Sequence, residues 1–382
     1  MKNITTAALA LLAMGIFTSV TILSAYQVLF AIVCAYYSFW AIKENKTKLP
    51  TSAWFLLTFA AVALLSLVIN FELLPKPTKN FGRLKYFAFG IAGIFVLRVW
   101  LTESSLKTKK YLCNLFLTSI LIAATFGIYK FYTTDDDRLR GFTDTLRYGY
   151  GMSMILLTLL SALLHHEKIK DWFNFRLGLT TLIVGLAALY LTYNRGSLLA
   201  LMCGLPFVLY FYRAKLGLTL GGLAVAGVLG LVGIYLFGTG NYNSRFLVNK
   251  NNPSDHIRRS QWQAAIIATK EKPILGWGLS NFHSQLNRIK QENDLDAKWY
   301  NDAHAHNLFL EVASGTGLIG LFFFLGWVLS WGWEIFRKGG LLRALIFPFG
   351  IAFIVGSQFE VTFDANNASM IFFLYSMSFY ES

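Results

Sequence analysis

Long apolar runs alternate with polar connections along the chain. The runs fall near residues 5–24, 26–42, 51–70, 86–103, 111–132, 151–165, 175–193, 196–212, 217–237, 307–334, 342–357 and 366–380. A helix needs about 20 apolar residues to cross a hydrocarbon core. The pattern therefore predicts an all-α polytopic membrane protein with about twelve transmembrane helices. The N-terminal stretch "MKNITTAALALLAMGIFTSVTILSAYQ" also has signal-peptide features, namely one Lys, an apolar centre and small residues. A second apolar run follows almost at once, so the stretch reads as a retained first span. No internal repeat is visible, and residues 1–382 read as a single integral membrane domain.

One polar connection is far longer than the rest. Residues 238–306 form a hydrophilic loop too long for loop charge to govern its placement. Within it, "NPSDHIRRSQWQAAIIATKEKPILGWG" has the signals of a helix. Ser254 or Asp255 suits the start, and Pro273, Gly276 and Gly278 end it. Ile257, Trp262, Ala265 and Ile266 set against Arg and Lys predict that this helix lies on the membrane surface.

Composition agrees with a membrane protein. The chain is 55% hydrophobic and 14% charged, with a mean hydropathy of +0.50, against roughly 25% charged residues in soluble domains. Its net charge of +14 would suggest nucleic acid in a soluble protein. Here the basic residues concentrate in alternate connections, such as "KENKTK", "KTKK", "HHEKIK" and "FRKGG". About 15 Lys and Arg fall on that side against about 9 on the short connections of the other. The positive-inside rule then puts both termini in the cytoplasm and the 238–306 loop outside, which for a bacterial inner membrane is the periplasm. Cys34, Cys113 and Cys203 lie in or beside apolar runs, where packing rather than disulfide formation is expected.

Charges near a membrane are costly unless they are partnered, so they are the first candidates for function. Arg195, in "LTYNRGSLLALMCG", sits on a short outer turn. It is either an arginine reaching for headgroups or an anion ligand at a helix N-terminus. Arg258 and Arg259 open the amphipathic helix. Arg138, Arg140 and Arg147 form a third outer group in "TTDDDRLRGFTDTLRYGYG". Guanidinium groups converging on one side suit a diphosphate.

The stretch "DAHAHNLFLEVASGTGLIGLFFF", 302–324, sets His306, Asn307 and Glu311 at the head of the tenth apolar run. Ala313, Gly317 and Gly320 offer a small-residue face to a neighbouring helix. His304 and His306 could suggest a metal pair, but no further ligand lies at a familiar spacing, so none is expected. The Asp-x-Asp patterns at 135–137 and 294–296 are explained as well by solvated turns.

Three motifs together resemble the O-antigen ligase and polymerase superfamily. "HNLFLEVASGTGLIG", 306–320, is similar to its His-[Asn/Ser/Gln]-nine residues-Gly-x-x-Gly pattern. "NRGSLL", 194–199, resembles its Arg-x-x-x-Leu element. "RRSQWQAAIIATKEKPILGWGLSNF", 258–282, resembles its segment in the large outer loop.

The resemblance implies a GT-C-like fold, with short helices in the outer loop, and a metal-independent, inverting glycosyltransferase that needs no cofactor. The implied donor is a glycan on undecaprenyl diphosphate. The implied acceptor is lipid A–core oligosaccharide, reached from the periplasmic side of the inner membrane among membrane lipids. His306 would act at the acceptor hydroxyl, and Arg195 with Arg258 or Arg259 would grip the diphosphate. Arg138, Arg140, Asn307 and Glu311 are secondary candidates.

The alternative within the family is a polymerase, which joins lipid-linked repeat units. Polymerases of this family tend to carry two large outer loops, and the single loop here favours a ligase. A protein O-oligosaccharyltransferase is less expected, because the chain ends directly after its last expected span. A glycan flippase or transporter would place charges at the bilayer midplane. The candidates here lie at the outer rim, apart from Arg98 near the inner end of its span.

Overall fold

The computed structural model describes residues 1–44, 48–134, 138–216, 253–295, 304–363 and 365–380, with side chains except at 213–216 and 253–255. Every regular element among them is helical. In chain order these are α1 (Lys2–Thr18), α2 (Val20–Lys43), α3 (Thr51–Ile69), α4 (Pro77–Phe81), α5 (Leu84–Glu103), α6 (Leu106–Thr133), α7 (Thr145–Leu164) and α8 (His166–Ile169). They continue with α9 (Phe175–Leu191), α10 (Arg195–Leu216), α11 (Pro253–Glu271), α12 (Phe282–Glu292), α13 (Leu308–Lys338), α14 (Gly340–Gly356) and α15 (Ala365–Met377).

The expected spans fall on these helices, with 5–24 divided between α1 and α2, except 217–237, which lies outside the described residues. Of the described helices, seven are long and apolar enough to cross a membrane by length and composition: α2, α3, α5 together with α4, α6, α7, α10 and α13. By that measure seven of the roughly twelve expected spans are met among the described residues. α1, α9 and α14 are apolar but shorter.

The boundary between the first two helices sits earlier than the apolar pattern implies. The break is at Ser19, whose side chain accepts from Ile22 N at 3.4 Å and caps α2. A Cβ on Gly15 would meet Leu23 N at 2.8 Å, so the glycine lets the two helices turn tightly there.

The bundle packs α3 against α13, α7 against α10 and α14, and α5 against α2 and α15. Its centre is aromatic. Trp327 stacks on Trp331, with ring centroids 5.9 Å apart, and also faces Phe372, Phe363 and Tyr375. The outside is apolar as well, with Phe39, Phe322 and Leu329 largely exposed. In water such a surface would be unstable; in lipid it is the expected exterior.

The small-residue face of α13 receives a loop rather than a helix. After α11 the chain runs back along α13, with Trp277 N donating to Ser314 O at 2.9 Å and Gly278 N to Gly315 O at 2.8 Å. Leu318 N donates to Pro273 O at 2.7 Å. From α3, Asn70 Nδ2 donates to Gly276 O at 3.1 Å, and Ser66 Oγ shares its hydrogen between Leu275 O and Gly315 O. Gly317 breaks the regularity of α13 with φ 71°, and a Cβ there would lie 2.1 Å from Ile274 O. The Pro-x-x-Gly-x-Gly segment and the Gly-x-x-Gly segment thus share one job: backbone-to-backbone contact that side chains would prevent.

Gly317→Ala combines a left-handed backbone with a direct clash. It is expected to cost about 3 kcal/mol, on the order of an overpacked, strained site. Thermal unfolding in detergent measures this, and an unchanged midpoint would mean that the loop is not held tightly.

α11 also differs from expectation. It starts at Pro253, ahead of Ser254 and Asp255. Ala264, Ala265 and Ala268 are buried against Phe282, Leu286 and Ile289 of α12 and against Ala305. The face expected to lie on the membrane is largely taken up by protein, because three alanines let α12 and α13 approach; Ile266 remains exposed.

Candidate active site

Asn307 begins α13 as its cap, its Oδ1 accepting from Phe309 N at 3.0 Å and Leu310 N at 3.1 Å. Glu311, one turn on, reaches back so that Ala305 N donates to its Oε2 at 3.0 Å. Both secondary candidates therefore shape the turn that carries the two histidines. That turn is strained. His306 adopts φ 47°, in the left-handed region, where a non-glycine residue is uncommon. Two contacts hold it: Leu308 N donates to Ser357 O at 2.8 Å, and Asn307 Nδ2 to Gln358 O at 3.2 Å.

The segment between α14 and α15 that makes these contacts also delivers Glu360. Its carboxylate is buried, and each oxygen meets one histidine. His306 Nδ1 lies 2.9 Å from Glu360 Oε2, and His304 Nε2 is hydrogen-bonded to Oε1. Val361 N also donates to Oε1, at 3.0 Å. The two imidazole rings lie 4.3 Å apart between centroids. Burial alone would raise the Glu360 pKa, but the hydrogen bonds from His304 and His306 and the pull of their positive forms hold it well below the usual carboxylate value. Burial would lower the His304 pKa, yet Glu360 outweighs it and raises it. With Glu360 ionised, a proton on His306 Nδ1 is the matching arrangement, which leaves Nε2 as the basic nitrogen.

Sequence spacing offers only two metal-ligand candidates here, His304 and His306. Glu360 supplies a third, and the three ligand atoms lie within 4.8 Å of one another. The grouping could take a cation, but both imidazoles are already matched to a carboxylate oxygen, and hydrogen bonding accounts for all three groups.

Arg195 stands first in α10, on the short turn that the sequence implies. Asn194 Oδ1 accepts from Gly196 N at 3.1 Å and Ser197 N at 3.4 Å. Gly196 packs so closely that a Cβ there would lie 2.1 Å from Tyr150 Oη and 3.2 Å from Phe359 Cβ. Arg195 thus sits beside the residue that touches both Tyr150 and the neighbour of Glu360. Tyr150 in turn feels the charges of both Arg258 and Glu360. One tyrosine therefore links three parts of the chain far apart in sequence. Arg258 is half-buried, while Arg259 is exposed.

The remaining candidates lie nearby or are engaged elsewhere. Leu139 is buried, and its N donates to Leu191 O at 3.0 Å, which ties the Arg138–Arg140 segment to the end of α9, just before the Arg195 turn. Arg147 pairs with Asp144 at 2.8 Å on an exposed helix start. Residues 135–137 lie outside the described residues.

Sequence reasoning missed three residues. Glu360 lies in a short polar connection with no motif around it. Tyr150 reads as an ordinary aromatic in an apolar run. Arg83 precedes α5, donates from Nη1 to Phe363 O at 3.2 Å and acts electrostatically on His304. A signal existed for two of them: alternation places Arg83 and Glu360 on the same side as His306.

A model of the family described as O-antigen ligase matches residues 180–325. An uncharacterized protein of Haemophilus influenzae is similar over 357 residues at 24% identity, covering 87% of this chain and 85% of that protein. The matched segment runs from within α9 past the kink of α13 and holds Arg195, Arg258, Arg259, His304 and His306. Over residues 180–325 the chain is thus similar to the O-antigen ligase family.

Proposed function

We propose that the protein transfers O-antigen polysaccharide from undecaprenyl diphosphate to lipid A–core oligosaccharide on the periplasmic side of the bacterial inner membrane. The observation that carries this reading is His306 held through Nδ1 by the buried Glu360 at the start of α13, with the charges of Glu360 and the half-buried Arg258 both reaching Tyr150. In this account His306 Nε2 takes the proton of an acceptor hydroxyl. The acceptor oxygen bonds to the anomeric carbon from the face opposite the diphosphate, the anomeric C–O bond to phosphate breaks, and undecaprenyl diphosphate leaves as an anion. Arg258 and Arg195 stabilise the charge that develops on it. The polyprenyl tail remains in lipid, which accounts for a reactive group at the head of a span.

A deletion strain tests the reading. Ligation requires that lipid-linked polymer accumulates while the core stays bare. Single repeat units on the core would instead assign the protein as a polymerase.

The two adjacent arginines should separate. Arg258→Ala is expected to lower kcat/KM for donor by about 10²-fold, the scale of losing a charge that stabilises the leaving group, with Arg259→Ala within a few-fold of wild type. Equal losses would remove the distinction that burial draws between them.

Activity should also survive treatment with a chelator, because the Glu360 hydrogen bonds orient the base by themselves. Loss on chelation with recovery on adding zinc would reassign His304, His306 and Glu360 as a metal site.

A further inference from the structure

Arg98 takes no part in the site described above. From Arg83 to Arg98, α5 rises about 22 Å at 1.5 Å per residue, which puts Arg98 at the opposite end of the bundle from His306. There the ends of α2 and α5, with Lys48 from the connection to α3, surround a cavity of about 580 Å³. Trp40, Phe95 and Val99 wall it, and Lys48, Arg98 and Glu103 line it. Lys2 Nζ donates to the backbone oxygen of Glu103 at 2.5 Å, which adds a further cation at the rim. Three cations and one carboxylate thus stand at or beside this cavity.

Arg98 Nε is buried and has no hydrogen-bond partner among the described residues. A guanidinium N–H withdrawn from water without an acceptor is costly, and its fork geometry matches phosphate oxygens. The cavity falls within the size range of small-molecule sites and exceeds what one phosphate fills. Its apolar walls suit the glycerol and first methylenes of a lipid whose tails continue into the membrane.

We propose that this cavity binds the phosphate of an anionic phospholipid, with Arg98 and Lys48 as its ligands and Trp40 and Phe95 against the chain beyond. The inference is independent of the transferase reading, since it uses none of the residues at the other end.

Native mass spectrometry of delipidated protein titrated with phosphatidylglycerol tests it, with inorganic phosphate as a second arm. Arg98→Gln is expected to weaken phosphatidylglycerol binding about tenfold, the scale of one charge-assisted contact, while the exposed control Arg176→Gln leaves it unchanged. Displacement of the lipid by inorganic phosphate would support phosphate as the recognised group. Failure to displace it, with Arg98 dependence retained, would support the lipid as its source. Lys48→Gln, on an exposed segment, gives the same reading if Arg98→Gln does not fold. Lipid binding equal to wild type in both variants overturns the proposal.

Discussion

Replacing His306 is expected to lower glycan transfer by about 10²–10⁴-fold, the range supplied by one positioned general base. The substitution must separate chemistry from backbone strain, because His306 holds φ 47°. His306→Asn does so: asparagine tolerates the left-handed region but has no basic nitrogen. It should fold as wild type, bind donor normally and fail in turnover. In cells the same variant should accumulate lipid-linked polymer, visible as loss of the lipopolysaccharide ladder. A ladder of normal intensity with the variant present in the membrane would remove His306 from the reaction.

Glu360→Gln is expected to have the next largest effect, about 10²-fold on kcat, with little change in KM. Glutamine keeps the size of the side chain but removes the charge that both imidazoles face. Loss of that charge leaves His306 Nδ1 without the acceptor that fixes its tautomer, so turnover per folded protein should fall while donor affinity holds. A merely structural carboxylate would lower the amount of folded protein and leave turnover per folded protein unchanged.

Stability carries a pH signature, with the sign fixed by the two shifts. The lowered Glu360 pKa contributes stability above its ordinary value of 4.5, lost as pH falls through the folded value. The raised His304 pKa contributes stability below 6.5, lost as pH rises through its folded value. The difference in unfolding midpoint between wild type and Glu360→Gln should therefore be greatest between about pH 4.5 and 6.5, the window those two values bound. A difference that stays flat across pH would argue against the pairing.

The sequence makes some of this legible and hides the rest for physical reasons. Membrane-length apolar runs give the helices directly, because lipid demands backbone satisfaction within each segment. Charge alternation groups Arg195, Arg258 and His306 at one end without reference to contacts. It cannot show that Gly317 bends α13 to admit the Pro273–Gly278 loop. Small residues four apart fit a helix neighbour as well as a loop, and only the backbone hydrogen bonds of Ser314 and Gly315 decide between them. Glu360 is hidden for a different reason. A carboxylate in a short connection looks solvated until the fold buries it between two histidines more than fifty residues earlier. The same burial changes the reading of His304, from half of an incomplete metal pair to the second partner of one carboxylate.

The most direct measurement is transfer by the purified protein in proteoliposomes holding undecaprenyl-diphosphate glycan, with lipid A–core and a second lipid-linked repeat unit offered in competition. The account predicts that glycan appears on lipid A–core, and that the transfer depends on both His306 and Glu360. Extension of the lipid-linked repeat alone, or transfer undiminished in His306→Asn and Glu360→Gln, would contradict it.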